Sequence, residues 1–288
     1  MKQENTAFSN CGIGAKGLIF EEPVVFEMGS PGRKAYSLPA RDVPEVELET
    51  LLPPDEIRGA IGHLPELTEL DVVRHFTRLS QWNFSIDTNF YPLGSCTMKY
   101  NPKINEDMAR LPGFSQHHPY APAEFSQGSL QLMCELQEYL KEISGMDHVS
   151  LQPAAGAQGE FAGMLMVHAY HASRGRQRKK VLLPDSAHGT NPASSALCGY
   201  EVVPLPSTTE GLIDMGKLSE LMDEDTAAIM LTNPNTLGMF EKNILEVTSI
   251  VHKKGGLVYC DGANLNALTG VSKMGEMGID VMHFNLHK

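Results

Sequence analysis

The stretch "GGLVYCDGANLNA", Gly255 to Ala267, decides the fold of this chain. After two glycines it runs through four apolar residues and then changes, at Asp261, to small and polar residues. A short apolar run between turn-forming residues is typical of a strand that is buried on both faces. We therefore predict a buried strand here, with Asp261 at its end.

The same pattern recurs on both sides of this stretch. Downstream, "VMHFN" predicts another strand, and directly upstream "EKNILEVTSIVHKKG" predicts a helix. Farther upstream, the predicted strands "AAIMLTNPN", "YEVVPLP" and "KVLLPD" alternate with the predicted helices "MGKLSELMDE", a short one after "HGTNPAS", and "GEFAGMLMVHAYHASRG". Short apolar strands that alternate with helices predict an α/β fold, a mostly parallel sheet with helices on both faces.

Residues 1–120 differ in composition from residues 121–288. Prolines interrupt them repeatedly, as in "LLPPDEI" and "HHPYAPAE", and only the segment from Leu67 to Gln81 has the spacing of a helix. Because turn-rich chain cannot bury a core of its own, we predict an extended N-terminal arm over 1–120 with one helix. The large domain is predicted over 121–288, with a long first helix from Glu124 to Gly145.

Composition excludes several classes of protein. Asp and Glu number 35 against 23 Lys and Arg, so the net charge is -12, and without a basic patch we expect no nucleic-acid binding. No stretch approaches the roughly 20 apolar residues of a membrane span, and no targeting peptide is evident. The five cysteines are widely spaced and form no metal motif, which predicts free thiols in the cytoplasm and no metal site.

Polar residues follow four of the predicted strands. Ligands of parallel α/β sheets bind beyond the carboxyl ends of the strands, so these residues would share one edge. They are Asp185, His188, Thr190, Asn191, Thr232, Asn233, Asn235, Asp261, Asn264, His287 and Lys288. Each alone is more typical of a helix cap or a turn, but four strand ends of this chemistry together indicate a binding site.

The segment "PAAGAQGEF", Pro153 to Phe161, adds a candidate anion site. Its small residues stand directly before a predicted helix, where backbone N–H groups can approach a phosphate. Close packing alone would also favour small residues there. Together with a downstream Asp and a Lys at the same edge, the segment favours a phosphate-bearing aromatic aldehyde cofactor, which needs a phosphate cradle, a partner for its ring nitrogen and a lysine.

Six segments carry a resemblance to a known family. They are "DTNFYPLGSCTMKYNPK", "PAAGAQGE", "DSAHGTNPAS", "TNPNTLG", "DGANLNA" and "MHFNLHK". Together they resemble subunit 2 of the bacterial glycine dehydrogenase (decarboxylating) family, the P-protein of the glycine cleavage system. The resemblance implies the fold of type I pyridoxal phosphate enzymes. It also implies decarboxylation of glycine, with transfer of the aminomethyl group to the lipoyl arm of H-protein, and pairing with subunit 1 in a heterotetramer.

The resemblance further implies catalytic roles for three residues. Lys288 would bond pyridoxal 5'-phosphate as an imine, and His188 would stack on the face of the cofactor ring. Asp261 would face the pyridine nitrogen, where a carboxylate keeps the ring protonated and strengthens it as an electron acceptor. Asp185 is the competing aspartate, and we expect it to cap or orient instead.

Other residues are implied in cofactor binding alone. Those expected around the phosphate are Ala155, Gly156, Ala157, Gln158 and His287. Those expected near the ring hydroxyl are Thr232, Asn233 and Asn235, and the choice among them stays open. The segment "GSCTMK", Gly94 to Lys99, either closes over the carboxylate of glycine or packs as a loop without a chemical role.

Two other functional classes stay open. Another type I enzyme, such as an aminotransferase, would share the lysine and the aspartate but should carry an Arg for a second substrate carboxylate. The family continues beyond the lysine with a small C-terminal domain, so we interpret the large domain as incomplete, truncated at its C-terminal side. On that interpretation the chain is a non-catalytic fragment or assembly module, and we expect it to be catalytically silent alone.

Overall fold

The computed structural model describes residues 22–59, 64–88 and 100–288. Contacts within the chain divide it into two compact units, Met1–Pro92 and Leu93–Lys288. The predicted arm and large domain, with their boundary at residue 120, stay predictions. The candidate closing segment, Gly94 to Lys99, lies outside the described residues.

The described part of the first unit contains one α-helix, α1, Glu69–Trp82. It begins with a capping box, because the Thr68 hydroxyl accepts a hydrogen bond from the Asp71 N–H while the Asp71 carboxylate accepts one from the Thr68 N–H. The helix predicted from Leu67 to Gln81 is thus confirmed. Three short 3-10 helices precede it, Val25–Glu27, Leu48–Thr50 and Pro54–Glu56.

The described part of the second unit is built on a parallel sheet of five strands. These are β1 Lys180–Pro184, β2 Glu201–Leu205, β3 Thr226–Thr232, β4 Leu257–Asp261 and β5 Val281–His283. Their order across the sheet is β2-β1-β3-β4-β5, and each neighbouring pair is parallel. All five predicted strands and the predicted parallel α/β sheet are confirmed. In the register of β4 and β5, Asp261 pairs with His283.

Seven α-helices accompany the sheet in the described residues. They are α2 Lys103–Ala109, α3 Pro112–Ser115, α4 Gln127–Ser144, α5 Gly156–Ser173, α6 Thr190–Leu197, α7 Met215–Leu221 and α8 Ile244–Lys253. The expectation of one helix within residues 1–120 is wrong, because α2 and α3 follow or begin at prolines, whose fixed φ suits a helix start. No helix in the described ranges is long and apolar enough to cross a lipid bilayer.

Apolar side chains bury both faces of the sheet. On one face, Leu182, Ile229 and Val258 pack in a cluster to which α7 and α8 contribute. On the other face, the neighbouring strand residues pack against α5, which approaches β4 closely: a Cβ at Gly163 would lie 2.5 Å from the Tyr259 ring. Glycine at this position therefore lets α5 lie directly on the sheet, with its first turn near the carboxyl ends of the strands.

Candidate functional site

Asp261, the last residue of β4, lies in a buried polar network. Its Oδ2 accepts a hydrogen bond from Asn191 Nδ2 at 3.0 Å, and its Oδ1 accepts one from the Ala263 N–H at 2.9 Å. On β5, His283 places Nε2 3.3 Å from Asp261 Oδ1. A carboxylate has about four lone-pair sites. The described residues use three of them, and the fourth, on Oδ2, can accept from a ligand.

The network also keeps Asp261 ionised. Burial alone raises the pKa of the Asp261 carboxyl, but the hydrogen bond from His283, together with those from Asn191 and the Ala263 N–H, more than offsets that effect. The pKa of Asp261 therefore lies well below its ordinary value. Asp261 is a buried negative charge at the edge of the sheet where ligands bind.

Glu160 is the second carboxylate of this network. It lies on α5, and its Oε1 accepts a hydrogen bond at 2.8 Å from Nδ2 of Asn191, the same group that bonds Asp261. Burial raises the pKa of Glu160 more than Asn191 and His283 lower it. Sequence reasoning missed this residue because it inspected strand ends. The available signal was a single carboxylate within the otherwise apolar "GEFAGMLMV".

His283 and Tyr259 complete the network, and sequence reasoning missed both because they lie within apolar strands. The Tyr259 hydroxyl lies 2.8 Å from His283 Nδ1. One ligand atom each of Glu160, Asp261 and His283 lie within 4.8 Å of one another, a spacing that a metal ion could bridge. Asn191 and Tyr259 already bond to these side chains, whereas the buried Asn191 Oδ1 has no partner among the described residues. The expected absence of a metal site stays a prediction.

Asp185 and His188 follow β1 and are both exposed. The Asp185 carboxylate accepts hydrogen bonds from the Ser207 hydroxyl and, at 3.0 Å, from the Ser207 N–H. These two bonds lower the pKa of Asp185. Asp185 therefore holds the loop after β2. His188 accepts a hydrogen bond at Nδ1 from the Thr190 N–H at 3.3 Å, which leaves its ring at the sheet edge.

The side chain of Asn235, in the loop after β3, bonds to backbone groups of loops. Its Oδ1 accepts hydrogen bonds from the N–H groups of Leu237 and Met239, both at 3.0 Å. Its Nδ2 donates to the Gly211 carbonyl at 2.7 Å. These three bonds give Asn235 the role of a loop-forming residue.

Thr232 and Asn233 differ from Asn235. Asn233 Oδ1 accepts a hydrogen bond from the Glu241 N–H at 2.9 Å, but its buried Nδ2 has no partner among the described residues. The Thr232 hydroxyl is also buried and has no hydrogen-bond partner among the described residues. Buried polar groups without partners are rare and call for an explanation such as a bound ligand. Of the three candidates for the ring hydroxyl, Thr232 and Asn233 retain polar atoms that a ligand could bind.

Helix α5 begins at Gly156, and Ala155 before it provides no side-chain cap. The backbone N–H groups of the first turn therefore stay available to an anion. Ala155, Ala157 and Gln158 are exposed at this end. A Cβ at Gly156 would lie 3.1 Å from Asn285 Oδ1, so the loop after β5 packs on the helix start. Sequence reasoning did not single out Asn285, because it assigned that residue to a strand.

His287 and Lys288 lie in that same loop, four and five residues after His283. His287 is exposed and Lys288 is half-buried. Because His283 is the register partner of Asp261, the loop leaves the sheet beside Asp261. The structure thus brings the start of α5, the loop of Lys288 and Asp261 to one edge, whereas Asp185 and Asn235 bond to other loops.

Residues 46–284 match the family described as glycine cleavage system P-protein. The chain belongs to this family. It is 58% identical over 268 residues to a probable glycine dehydrogenase (decarboxylating) subunit 2 of Desulforamulus reducens. The aligned region covers 93% of this chain and 55% of that relative. To the protein of the same name from Caldanaerobacter subterraneus subsp. tengcongensis it is 56% identical over 266 residues, covering 92% and 55%. The chain thus spans about half the length of these curated relatives.

A solved structure agrees with the family assignment. The crystal structure of glycine decarboxylase (P-protein) of the glycine cleavage system, in inhibitor-bound form, superposes with a TM-score of 0.64. It is 25% identical in sequence, and the match covers 83% of this chain and 53% of that one. The resemblance inferred from the six sequence segments is therefore confirmed, as is the α/β fold of type I pyridoxal phosphate enzymes.

The donor set of this P-protein family member fits pyridoxal 5'-phosphate. Asp261 offers an ionised carboxylate with a lone pair for a protonated ring nitrogen. Thr232 offers a buried hydroxyl that lacks a described partner, and α5 offers an uncapped N-terminus for a phosphate. These three features match the ring nitrogen, the ring hydroxyl and the phosphate of the cofactor.

Proposed function

We propose that this chain forms the pyridoxal 5'-phosphate-binding part of a glycine decarboxylase of the glycine cleavage system. The observation that carries the proposal is the buried, ionised Asp261, with one lone pair to spare, beside the loop of Lys288. The relatives of this chain are named probable glycine dehydrogenase (decarboxylating) subunit 2. We therefore propose glycine as substrate, and subunit 1 and lipoylated H-protein as partners in the cytoplasm, within a heterotetramer.

Three residues would hold the reactive part of the cofactor. When bound, pyridoxal phosphate supplies an aldehyde that bonds amines and a ring that accepts the electron pair left when carbon dioxide departs. Lys288 would bind the aldehyde carbon, and His188 would lie against the ring face. Asp261 would accept a hydrogen bond from the ring nitrogen at Oδ2, and its negative charge would favour the protonated ring.

The remaining contacts would fix the ends of the cofactor. The first turn of α5, from Ala155 to Ala157, would bind the phosphate through backbone N–H groups and the positive end of the helix dipole, with Gln158 or His287 nearby. Thr232 or Asn233 would bind the ring hydroxyl, since each has an unpartnered buried polar atom in the described structure.

The net reaction needs an electron acceptor outside this chain. In glycine the bond between the carboxyl carbon and Cα breaks, and carbon dioxide leaves. Cα then bonds to one sulfur of the lipoyl disulfide, the disulfide bond breaks, and the second sulfur becomes a thiol. The lipoyl group is thereby reduced, so no cysteine of this chain is required as a nucleophile.

The three arginines within residues 121–288 do not lie near Asp261. Residues 121–288 contain three arginines, Arg174, Arg176 and Arg178, all in the segment before β1. Arg178 donates to the carbonyl of Thr226, the first residue of β3, at 2.7 Å. These arginines therefore lie toward the amino ends of the strands, opposite the edge where a second substrate carboxylate would bind.

Exchange of labelled carbon dioxide into the carboxyl group of glycine tests the proposal. The chain would be completed with the portion of the Caldanaerobacter relative that it does not match, and combined with a subunit 1 and lipoylated H-protein. We expect exchange that requires the lipoyl group and is lost in Asp261→Asn but kept in Asp185→Asn. Amino transfer from glycine to a keto acid without lipoyl protein would overturn the proposal in favour of an aminotransferase.

A further inference from the structure

Two carboxylates share one amide group at the centre of the network. Asn191 Nδ2 lies 2.8 Å from Glu160 Oε1 and 3.0 Å from Asp261 Oδ2, so its two hydrogens are used by two acids. Glu160 is 3% exposed and Asp261 is 4% exposed, so water screens neither of them. Two negative charges this close in a buried site repel each other strongly, and one such group normally keeps its proton.

The remaining contacts indicate which acid keeps the proton. Asp261 is bonded by three donors, Asn191, His283 and the N–H of Ala263, which favour its ionised form. The Glu160 carboxyl accepts a hydrogen bond from Asn191, and Ser194 on α6 also lies within hydrogen-bond reach. A hydroxyl can accept as well as donate a hydrogen bond, so Ser194 can accept one from the O–H of a protonated Glu160.

We propose that Glu160 is a positioning residue that stays protonated at neutral pH, so that Asp261 alone carries the negative charge of the pair. This proposal deepens the proposed function, because the single negative charge would then match a single positive charge on the cofactor ring nitrogen. If both acids were ionised, Asn191 would be shared between two charges. Its hold on Asp261 would then be weaker.

The other titratable groups that face the pair do not reverse the order of the two acids. Tyr259 and His283 bond to each other, and burial raises the pKa of Tyr259, so its neutral hydroxyl can donate to His283 Nδ1 while Nε2 donates to Asp261. Burial also raises the pKa of Cys260 to about 12, so its thiol stays neutral. For Glu160, burial and the charge of Asp261 raise the pKa.

Infrared spectroscopy of the cofactor-free protein tests the proposal independently of any reaction. A protonated carboxyl group has a carbonyl stretch distinct from that of a carboxylate. We expect such a band at neutral pH, and Glu160→Gln should remove it. Asp261→Asn should move the titration of the band to lower pH, because it removes the neighbouring negative charge. Glu241→Gln is the matched control, since Glu241 is also buried but accepts hydrogen bonds from the backbone N–H groups of Ile213 and Asn243.

Cofactor affinity gives a second readout. Because glutamine reproduces a neutral Glu160, Glu160→Gln should bind pyridoxal 5'-phosphate within about threefold of the unmodified protein, whereas Asp261→Asn should bind at least about 100-fold more weakly. Absence of a band that Glu160→Gln removes would overturn the proposal. So would an equal loss of affinity in both variants while their folds stay intact. If the band behaves as expected but neither the unmodified protein nor any variant binds the cofactor, the proposed function fails and the protonation of Glu160 stands.

Discussion

The carboxyl edge of the sheet has two halves whose sequences look alike and whose contacts differ. After β4 and at the end of β5, Asp261 and His283 bond mainly to side chains, including Asn191 of α6. After β1 and β3, Asp185 and Asn235 bond to loops, largely through backbone N–H and carbonyl groups. We call these the network half and the loop half.

The difference shows how the same residue types serve two purposes. An Asp or Asn whose partners are nearby backbone groups forms a turn, which is the common use of these residues after a strand. An Asp whose partners are side chains from separate helices and strands stays fixed only if the whole fold is in place. We therefore expect substitutions of Asp261 and its side-chain partners to affect cofactor chemistry and those of Asp185 and Asn235 to affect stability.

Asp261→Asn should have the largest effect on this comparison. It removes the buried negative charge that would oppose the ring nitrogen, and in a water-excluded site such a loss costs about 3 kcal/mol, or roughly 100-fold in kcat. Circular dichroism should show an unchanged fold. Carbon dioxide exchange measures the loss of activity, and Asp185→Asn, assayed in parallel, is the control. If Asp185→Asn were the less active of two equally stable variants, the ring-nitrogen role would move to Asp185.

Asn235→Ala should have the largest effect on stability in the loop half. It removes hydrogen bonds to Leu237, Met239 and Gly211, and about 2 kcal/mol of unfolding free energy should be lost because these backbone groups are left unpaired. Urea denaturation measures the loss. The absorption spectrum of the bound cofactor should not change, and a changed spectrum would place Asn235 in the network half instead.

His283→Gln should shift the acid sensitivity of the network half. The folded-state pKa of Asp261 is lowered, so its stabilising contribution is complete above the ordinary pKa of 3.8 and is lost as pH falls through the folded value. Without His283 the folded pKa rises, so this loss begins at higher pH. Each unit of change corresponds to about 1.4 kcal/mol. Acid denaturation followed by circular dichroism should show a higher midpoint, and an unchanged midpoint would mean that His283 does not stabilise the ionised Asp261.

Asp185→Asn should have the smallest effect. The carboxylate is exposed, so solvent screens its bonds to Ser207 and the loss should be about 0.5 to 1 kcal/mol. Because the pKa of Asp185 is lowered, the difference from the unmodified protein should be present at neutral pH and vanish in acid. Urea denaturation at both pH values measures it, and a loss that persists in acid would mean that the charge is not what holds Ser207.

The sequence predicted the sheet well and the network poorly, for physical reasons. The five strands are short apolar runs between turn-forming residues, so each is recognisable locally, and Asp261 stands out because it ends such a run. Helix α2 was missed because proline was taken as a breaker rather than a helix start. Glu160 and His283 could not be placed because Asn191 lies 31 positions from Glu160 and Tyr259 lies 24 positions from His283 along the chain. Only the packing of α5, α6, β4 and β5 brings these side chains together.

The proposed role of Lys288 is the central claim, and covalent trapping tests it most directly. Pyridoxal 5'-phosphate would be added to the completed protein, the bond to its lysine reduced with borohydride, and the modified residue located by peptide mass mapping. We expect a label on Lys288, because this lysine follows β5 beside Asp261. A label on Lys99 or Lys273, with Lys288 unmodified, would contradict it.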